Sequence, residues 1–280
     1  KGVDQTNKLF VGGTQTRPDS GYSQDIFSGD HWIGIVSQGN RKDIRNAVEA
    51  ARKSTAWSKQ TSHARAQVLF FMAENLSDQQ SIYVDLLKTV MSESDAKAEV
   101  EKAIERVFLY AAWADKLDGR VHRPPVHGLV TALHEPLGVI GVVCPDESPL
   151  VALVSLCCSA IALGNRVVVV PSTVLPTIAT TFYKTIEASD VPGGVINLIT
   201  GDPMNLGATL ASHADVDAVW FHQMDRRGCA EIEKLSAPTL KRTWVDGGRG
   251  RDWWCDRQTA ATELLRHASQ IKNVWVPYGV

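Results

Sequence analysis

The rhythm of apolar positions changes near residue 136. Before that point Ile44, Ala47, Val48 and Ala51 recur at three and four residues, which predicts an amphipathic helix over 40–60. The same rhythm in Val68, Phe71 and Met72, and again in Val100, Ile104, Val107, Phe108 and Ala111, predicts helices over 62–91 and 95–117, with Gly119 ending that region. Lys8-Leu9-Phe10-Val11 ahead of Gly12-Gly13 predicts a short strand and a turn. From 120 to 134 Val121, Val126, Leu129 and Ala132 alternate around Pro124-Pro125 and Gly128. Proline cannot donate to a ladder, so this segment predicts an exposed ribbon.

After Pro136 continuous β-branched runs at 137–143, 166–170, 195–200, 218–221 and 242–245 alternate with helical stretches. Runs apolar on both faces and separated by helices imply parallel strands joined by right-handed crossovers. The expected fold is therefore α/β, a Rossmann-like doubly wound parallel sheet with helices ahead of it. A helix over about 256–269 and a strand over 271–277 close the chain. No repeat or low-complexity linker divides it, so 1–280 is expected to be a single domain.

Composition narrows the function classes. The net charge of −2 gives no field that would steer nucleic acid or an anionic membrane. Arg249, Arg251 and Arg257 are broken by Asp252 and Asp256 and carry no nucleic-acid fold signature. The apolar run from Leu150 to Leu163 is too short to span a bilayer. Five cysteines without CxxC spacing suggest reduced thiols and a cytoplasmic setting. The eight histidines show no metal-ligand spacing, and no Walker loop or GxGxxG occurs.

The informative segments come in a fixed order: Glu135-Pro136-Leu137-Gly138-Val139-Ile140-Gly141, Cys144-Pro145-Asp146-Glu147-Ser148-Pro149, Val170-Pro171-Ser172-Thr173, Pro192-Gly193-Gly194-Val195-Ile196-Asn197 and Val245-Asp246-Gly247-Gly248-Arg249. Ala47-Val48-Glu49-Ala50-Ala51-Arg52 followed by Trp57-Ser58 stands upstream. As an ordered set these resemble the aldehyde dehydrogenase superfamily over nearly all of 8–249.

The departures fall on the positions that the family's reaction uses. The family's oxyanion-holding Asn is here Glu147, and a carboxylate would repel an oxyanion whose donors are worth about 2.7–4 kcal/mol. Otherwise 145–149 reads as a solvated acidic turn with Ser148 capping the next helix and Pro149 just inside it. The Lys and Glu that hold the cofactor's ribose are Val170 and Thr173. The phosphate-approach turn, Phe-Thr-Gly-Ser in the family, reads Phe221-His222-Gln223-Met224, so the close-approach glycine is gone. Arg226 and Arg227 could attract an anion but read more simply as a solvated pair, and His222 reads as structural. The general base is Val245; Asp246, one residue along a strand, should point away. Cys255 lies ten residues past Val245, where the family's nucleophile lies a few dozen residues on, and its flanking carboxylates would blunt it. Cys157-Cys158 read as core.

A cofactor-type domain without base, nucleophile or catalytic domain is similar to the degenerate carboxy-terminal domain of the family 16 aldehyde dehydrogenases. Lys1 as a start and the short tail fit that reading. The resemblance implies a non-catalytic domain with a structural or protein-interaction role, with no catalytic residues and no cofactor, since the contacts to NAD are lost. It also implies docking on the aldehyde dehydrogenase catalytic domain of a longer parent chain, or on a second copy as a homo-oligomer. The docking element would be the antiparallel ribbon of 120–134 with 271–280, and the interface residues Ile271, Val274, Trp275 and Val276. The alternative is part of an NAD-dependent aldehyde dehydrogenase that still binds dinucleotide, and a third reading is a remodelled small-molecule binding module.

Overall fold

The computed structural model describes residues 6–125, 127–255 and 261–277. Its centre is a seven-stranded sheet in the order β11-β10-β7-β8-β9-β1-β2. The strands are β1 Leu9–Val11, β2 Thr14–Thr16, β7 Val139–Val143, β8 Arg166–Val170, β9 Ile196–Leu198, β10 Ala218–Phe221 and β11 Arg242–Val245. β7 to β11 are mutually parallel, and β1 and β2 add an antiparallel edge. From β7 the chain winds outward through β8 and β9, then returns to β7's other side for β10 and β11. That reversal opens a crevice above the carboxyl ends of β7 and β10.

Both faces of this sheet are buried, which explains the unbroken apolar runs. Ile140, Val142, Val167 and Val169 face the larger core; Val139, Val143, Val168 and Val170 face the smaller one. The larger core is roofed by α6 (Pro149–Ala162), buried along its whole length. Behind α6 lie α3 (Ser62–Asp78) and α5 (Glu93–Trp113), so α6 is apolar all round as a helix between two layers must be. The other face carries α1 (Arg41–Lys53), α8 (Pro203–Ser212) and α9 (Arg226–Ser236). α1 begins on a capping box in which Asn40 accepts from the Lys42 and Asp43 amides and Asp43 accepts from the Asn40 amide. α7 (Thr177–Glu187) follows β8 and buries Ile178 and Phe182.

Several expected boundaries shift for local reasons. The helix expected over 40–60 breaks at Ser54-Thr55 into α1 and α2 (Ala56–Lys59), and Trp57 inserts into the core with its indole donating to the Ile161 carbonyl. The helix expected over 62–91 divides at Gln79 into α3 and α4 (Gln80–Leu87). A hairpin of β3 (Ser23–Ser28) and β4 (His31–Ser37) was not anticipated, although Gly29-Asp30 between two short alternating runs signals it.

The ribbon forms as expected. β5 (Arg120–His122) and β12 (Ser269–Pro277) flank β6 (Gly128–Pro136) in a separate antiparallel sheet. Its alternation differs in detail: Val130 and Ala132 are buried, while Leu129 points outward. Val126 and the 256–260 part of the expected terminal helix lie outside the described residues; α10 spans Ala261–His267.

Candidate functional site

Four loops rim the crevice at the carboxyl ends of β7, β8, β10 and β11. After β7 the chain buries Cys144, whose thiol is pushed well up by burial and, less, by neighbouring Cys157 and Asp146. Asp146 turns across the crevice mouth. Its Oδ1 accepts from the Thr173 amide at 2.7 Å, the Thr173 hydroxyl at 2.9 Å and the Ser172 hydroxyl at 3.1 Å. Glu147 is solvated, as expected for an acidic turn.

Ser148 departs from its expected role. Its φ of 50° is left-handed, its side chain caps nothing, and its hydroxyl accepts from the Trp254 indole at 3.0 Å. The opening amides of α6, Leu150 and Val151, donate instead to Glu99 Oε1 at 2.8 and 3.3 Å. Burial raises the Glu99 carboxyl above its ordinary value, opposed by those two amides.

After β8, Val170 is strand core with no exposed surface. After β10, the Gln223 amide donates to the Cys144 carbonyl at 2.5 Å, spanning from β10's loop to β7's. Met224 stands exposed, and Asp225 caps α9 by accepting from the Arg227 and Gly228 amides at 3.0 and 2.9 Å. The groups that a pyrophosphate would seek at a helix start thus already hold a carboxylate.

The loop after β11 carries the largest surprise. Asp246 does not point away: β11 ends at Val245, so strand alternation no longer governs the next residue. Its carboxylate meets His222 Nδ1 at 2.6 Å, with the imidazole fully buried. A carboxylate only accepts, so Nδ1 carries a proton; Nε2 has no hydrogen-bond partner among the described residues. Trp244 and Trp253 stand edge-to-face to the imidazole, with centroids 4.8 and 5.4 Å away. His267 stacks on Trp244 at 3.7 Å. Arg251 lies over Trp244 and forms a double hydrogen bond with Glu263. Burial opposes ionisation of Asp246, but the His222 hydrogen bond and the charges of His222, Arg251 and His267 outweigh it and hold the carboxyl below its usual value. Burial, with Arg242, Arg251 and His222 nearby, drives His267 down to about 4 against the pull of Glu263. At the position of the family's base, this block of indoles, imidazoles and a guanidinium borders an open cavity of about 390 Å3 lined by Val245, Asp246, Arg249, Arg251 and Glu263.

The remaining expected sites are dispersed. Cys157 and Cys158 are buried in α6 and Cys255 is half-exposed, and no group of three metal-ligating side chains occurs among the described residues. Asp256 and Arg257 lie outside the described residues. Of the four residues expected at an interface, Ile271, Trp275 and Val276 are exposed and Val274 is half-buried. Register divides them between two faces, since directly opposed residues share a face. Val276 opposes Leu129 and Val274 opposes Thr131, on the face that also exposes Leu133 and Val121. Trp275 opposes Val130 and Ile271 opposes His134 on the other. Each outer strand of this sheet pairs on one side only among the described residues.

Sequence reasoning missed Glu99, Asp146, Asp225 and Trp253 as site-shaping residues. Asp225 was readable as an N-cap before α9. Glu99 and Asp146 act across 51 and 27 residues, beyond any local signal.

The strand order and crevice define a Rossmann-type fold of the dinucleotide-binding class. Within that class a profile of the aldehyde dehydrogenase family matches residues 27–250, and the chain belongs to that family. Human aldehyde dehydrogenase 1A1 is 28% identical over 259 residues, covering 87% of this chain and 50% of that protein. The mitochondrial benzaldehyde dehydrogenase of Antirrhinum majus is 30% identical over 254 residues, covering 87% and 47%. Among solved structures, the NAD-dependent aldehyde dehydrogenase of Sinorhizobium meliloti shares the fold at a TM-score of 0.81 and 24% identity, over 87% of this chain and 50% of that one. An NAD+ complex of a Bacillus cereus aldehyde dehydrogenase does so at 0.82 and 24%, over 87% and 51%. The chain spans about half the length of these relatives. No helix among the described residues is long and apolar enough to cross a membrane.

Proposed function

We propose that this chain is a non-catalytic aldehyde dehydrogenase-like domain with a structural or protein-interaction role. In this reading 1–280 is a single domain that docks, in the cytoplasm, on the active unit of a longer NAD-dependent aldehyde dehydrogenase or on a second copy. One observation carries the loss of chemistry: the crevice's polar groups are already satisfied from within. Asp146 holds the turn after β8, Gln223 ties β10's loop to β7's, and Asp225 occupies the α9 amides. A dinucleotide would have to displace two carboxylates while finding neither ribose contact, so the residues present do not fit NAD. Val245 cannot accept a proton, and the two carboxylates that line the cavity beside it, Asp246 and Glu263, are held by His222 and Arg251.

The docking half of the proposal is supported by the sheet of β5, β6 and β12. It exposes Val121, Leu129, Leu133 and Val276 on one face and Trp275 at an open edge. Exposed apolar strand edges invite pairing with another chain, and Trp275 is the kind of side chain that anchors interfaces.

The binding-module reading draws on one feature, an open cavity of about 400 Å3 between the β3–β4 hairpin, the turn at 171–173 and Gly201–Pro203. Calorimetry with NAD and NADP separates the readings. The non-catalytic reading expects no saturable heat at millimolar ligand. A low-micromolar dissociation constant would replace it with a domain that still binds dinucleotide.

A further inference from the structure

We infer that the flank formed by α1 and α8 carries a binding site for a small phosphate-bearing molecule. The site is a cavity of about 490 Å3 between the start of α1 (Asn40, Arg41, Lys42, Arg45) and the end of α8 (Thr209, His213). It lies away from the strand-end crevice and does not depend on the docking proposal.

Charge is the first argument. No carboxylate lines the cavity, although the whole chain carries a net charge of −2. Two nearby acidic groups are engaged elsewhere, as Asp43 accepts from the Asn40 and Asp19 amides and Asp217 pairs with Arg52; Asp215, exposed near His213, remains as an opposing charge. Asp19 pairs with Lys42, which leaves Arg41 and Arg45 as the guanidinium pair without a carboxylate partner among the described residues. Planar guanidinium forks match phosphate oxygens better than an ammonium does.

The first-turn amides of α1 are already held by Asn40 and Asp43, so the donors facing the cavity are side chains. The end of α8 would oppose an anion through its free carbonyls, but Lys241 Nζ bonds the Leu210 and His213 carbonyls and offsets them. His213 adds a donor. Its Nδ1 accepts from the Asp215 amide at 3.1 Å, which places the neutral ring's proton on Nε2. Burial lowers the His213 pKa; Asp215 opposes this, while Lys241, Arg52 and Arg41 add to it. A bound anion would reverse the effect of those three cations. The volume exceeds that of a lone phosphate and lies within the range of pockets for small metabolites, about 300–1,000 Å3, so the phosphoryl group would arrive on a larger soluble molecule.

Titration calorimetry of the full 280-residue chain with inorganic pyrophosphate tests the site. The expected result is one saturable site, weakened at least about tenfold by the double substitution Arg41→Ala/Arg45→Ala. Both arginines are exposed, so folding should survive. The charge-matched control Lys184→Ala/Lys234→Ala, remote from the cavity, should leave affinity unchanged. NMR titration should show the His213 pKa rising with saturating pyrophosphate. The inference is overturned by an absence of saturable binding, or by equal weakening in both double variants, which would mean general charge attraction. Binding that survives removal of both arginines would place the ligand elsewhere. Capture by phosphatidic acid vesicles without affinity for pyrophosphate would make the flank a membrane contact and likewise sink the soluble-ligand site.

Discussion

Asp246→Ala should strip from a fully buried imidazole the only side-chain hydrogen bond that the described residues give it. The His222 side chain has no exposure and that of Asp246 is 13% exposed, so water replaces the lost acceptor poorly. A hydrogen bond to a charged group contributes about 1.5–3 kcal/mol. In a chain of this size each kcal/mol moves Tm by roughly 2–4 °C, giving an expected fall of roughly 3–12 °C at pH 7. The isosteric Asp246→Asn keeps an acceptor but not the charge and should lie between. The pH dependence fixes the sign. The Asp246 carboxyl is held below its ordinary value, so its contribution is full above the unfolded value of about 4 and is lost as pH falls through the lower folded value. Wild type should therefore exceed Asp246→Asn by a constant margin from pH 5 to 7, and the margin should close in stronger acid. Thermal unfolding by circular dichroism measures this, and indole fluorescence reports the packing of Trp244 and Trp253. Equal Tm for all three proteins at pH 7 would show that the pair holds nothing together and that the block is not anchored by it.

The purified chain should produce no NADH from aldehydes; steady production abolished by Cys255→Ala would overturn the loss of catalysis, because groups that act as a unit fail together. Deleting 271–280 should leave the central sheet folded, since Leu264, Leu265 and Ala268 in the core precede the cut. The same deletion should abolish association with the parent's catalytic unit or a second copy in sedimentation runs; loss of folding would show that β12 is internal core. Glu99→Gln should keep an acceptor for the α6 amides without a buried charge. A carboxyl raised in the folded state contributes stability at low pH that fades as pH rises through the raised value. The variant should therefore gain on wild type in urea unfolding as pH rises above the unfolded value of about 4, and a difference that does not change with pH above that value would contradict the raised carboxyl.

Much of the architecture was legible because it rests on local pattern. The unbroken runs around Val142, Val168 and Val219 require burial on two faces, and that alone dictates parallel strands between helical layers. The ribbon was legible from Pro124-Pro125 and the late apolar strand. The helix breaks at Ser54 and Gln79 were not, because each depends on where Trp57 or Tyr83 finds space in the core. In the sequence the site reads as a set of departures from the family's motifs, at Glu147, Val170, Gln223 and Val245. What holds the loops there was hidden, since the Asp146, Asp225 and Asp246 contacts depend on loop paths that strand periodicity does not constrain. Asp246 shows this most clearly: alternation projected it away from the site, and the end of β11 at Val245 freed it to reach His222.

Filling the crevice from within changes what sets the domain's stability. A fold that binds a dinucleotide gains stability by mass action, in proportion to the logarithm of ligand concentration over its dissociation constant. Carboxylates tethered in the same chain are present at a fixed effective concentration that no metabolic change dilutes. If the proposed non-catalytic, docked role holds, the clasps of Asp146 and Asp225 uncouple the persistence of this domain from the cell's nucleotide pool.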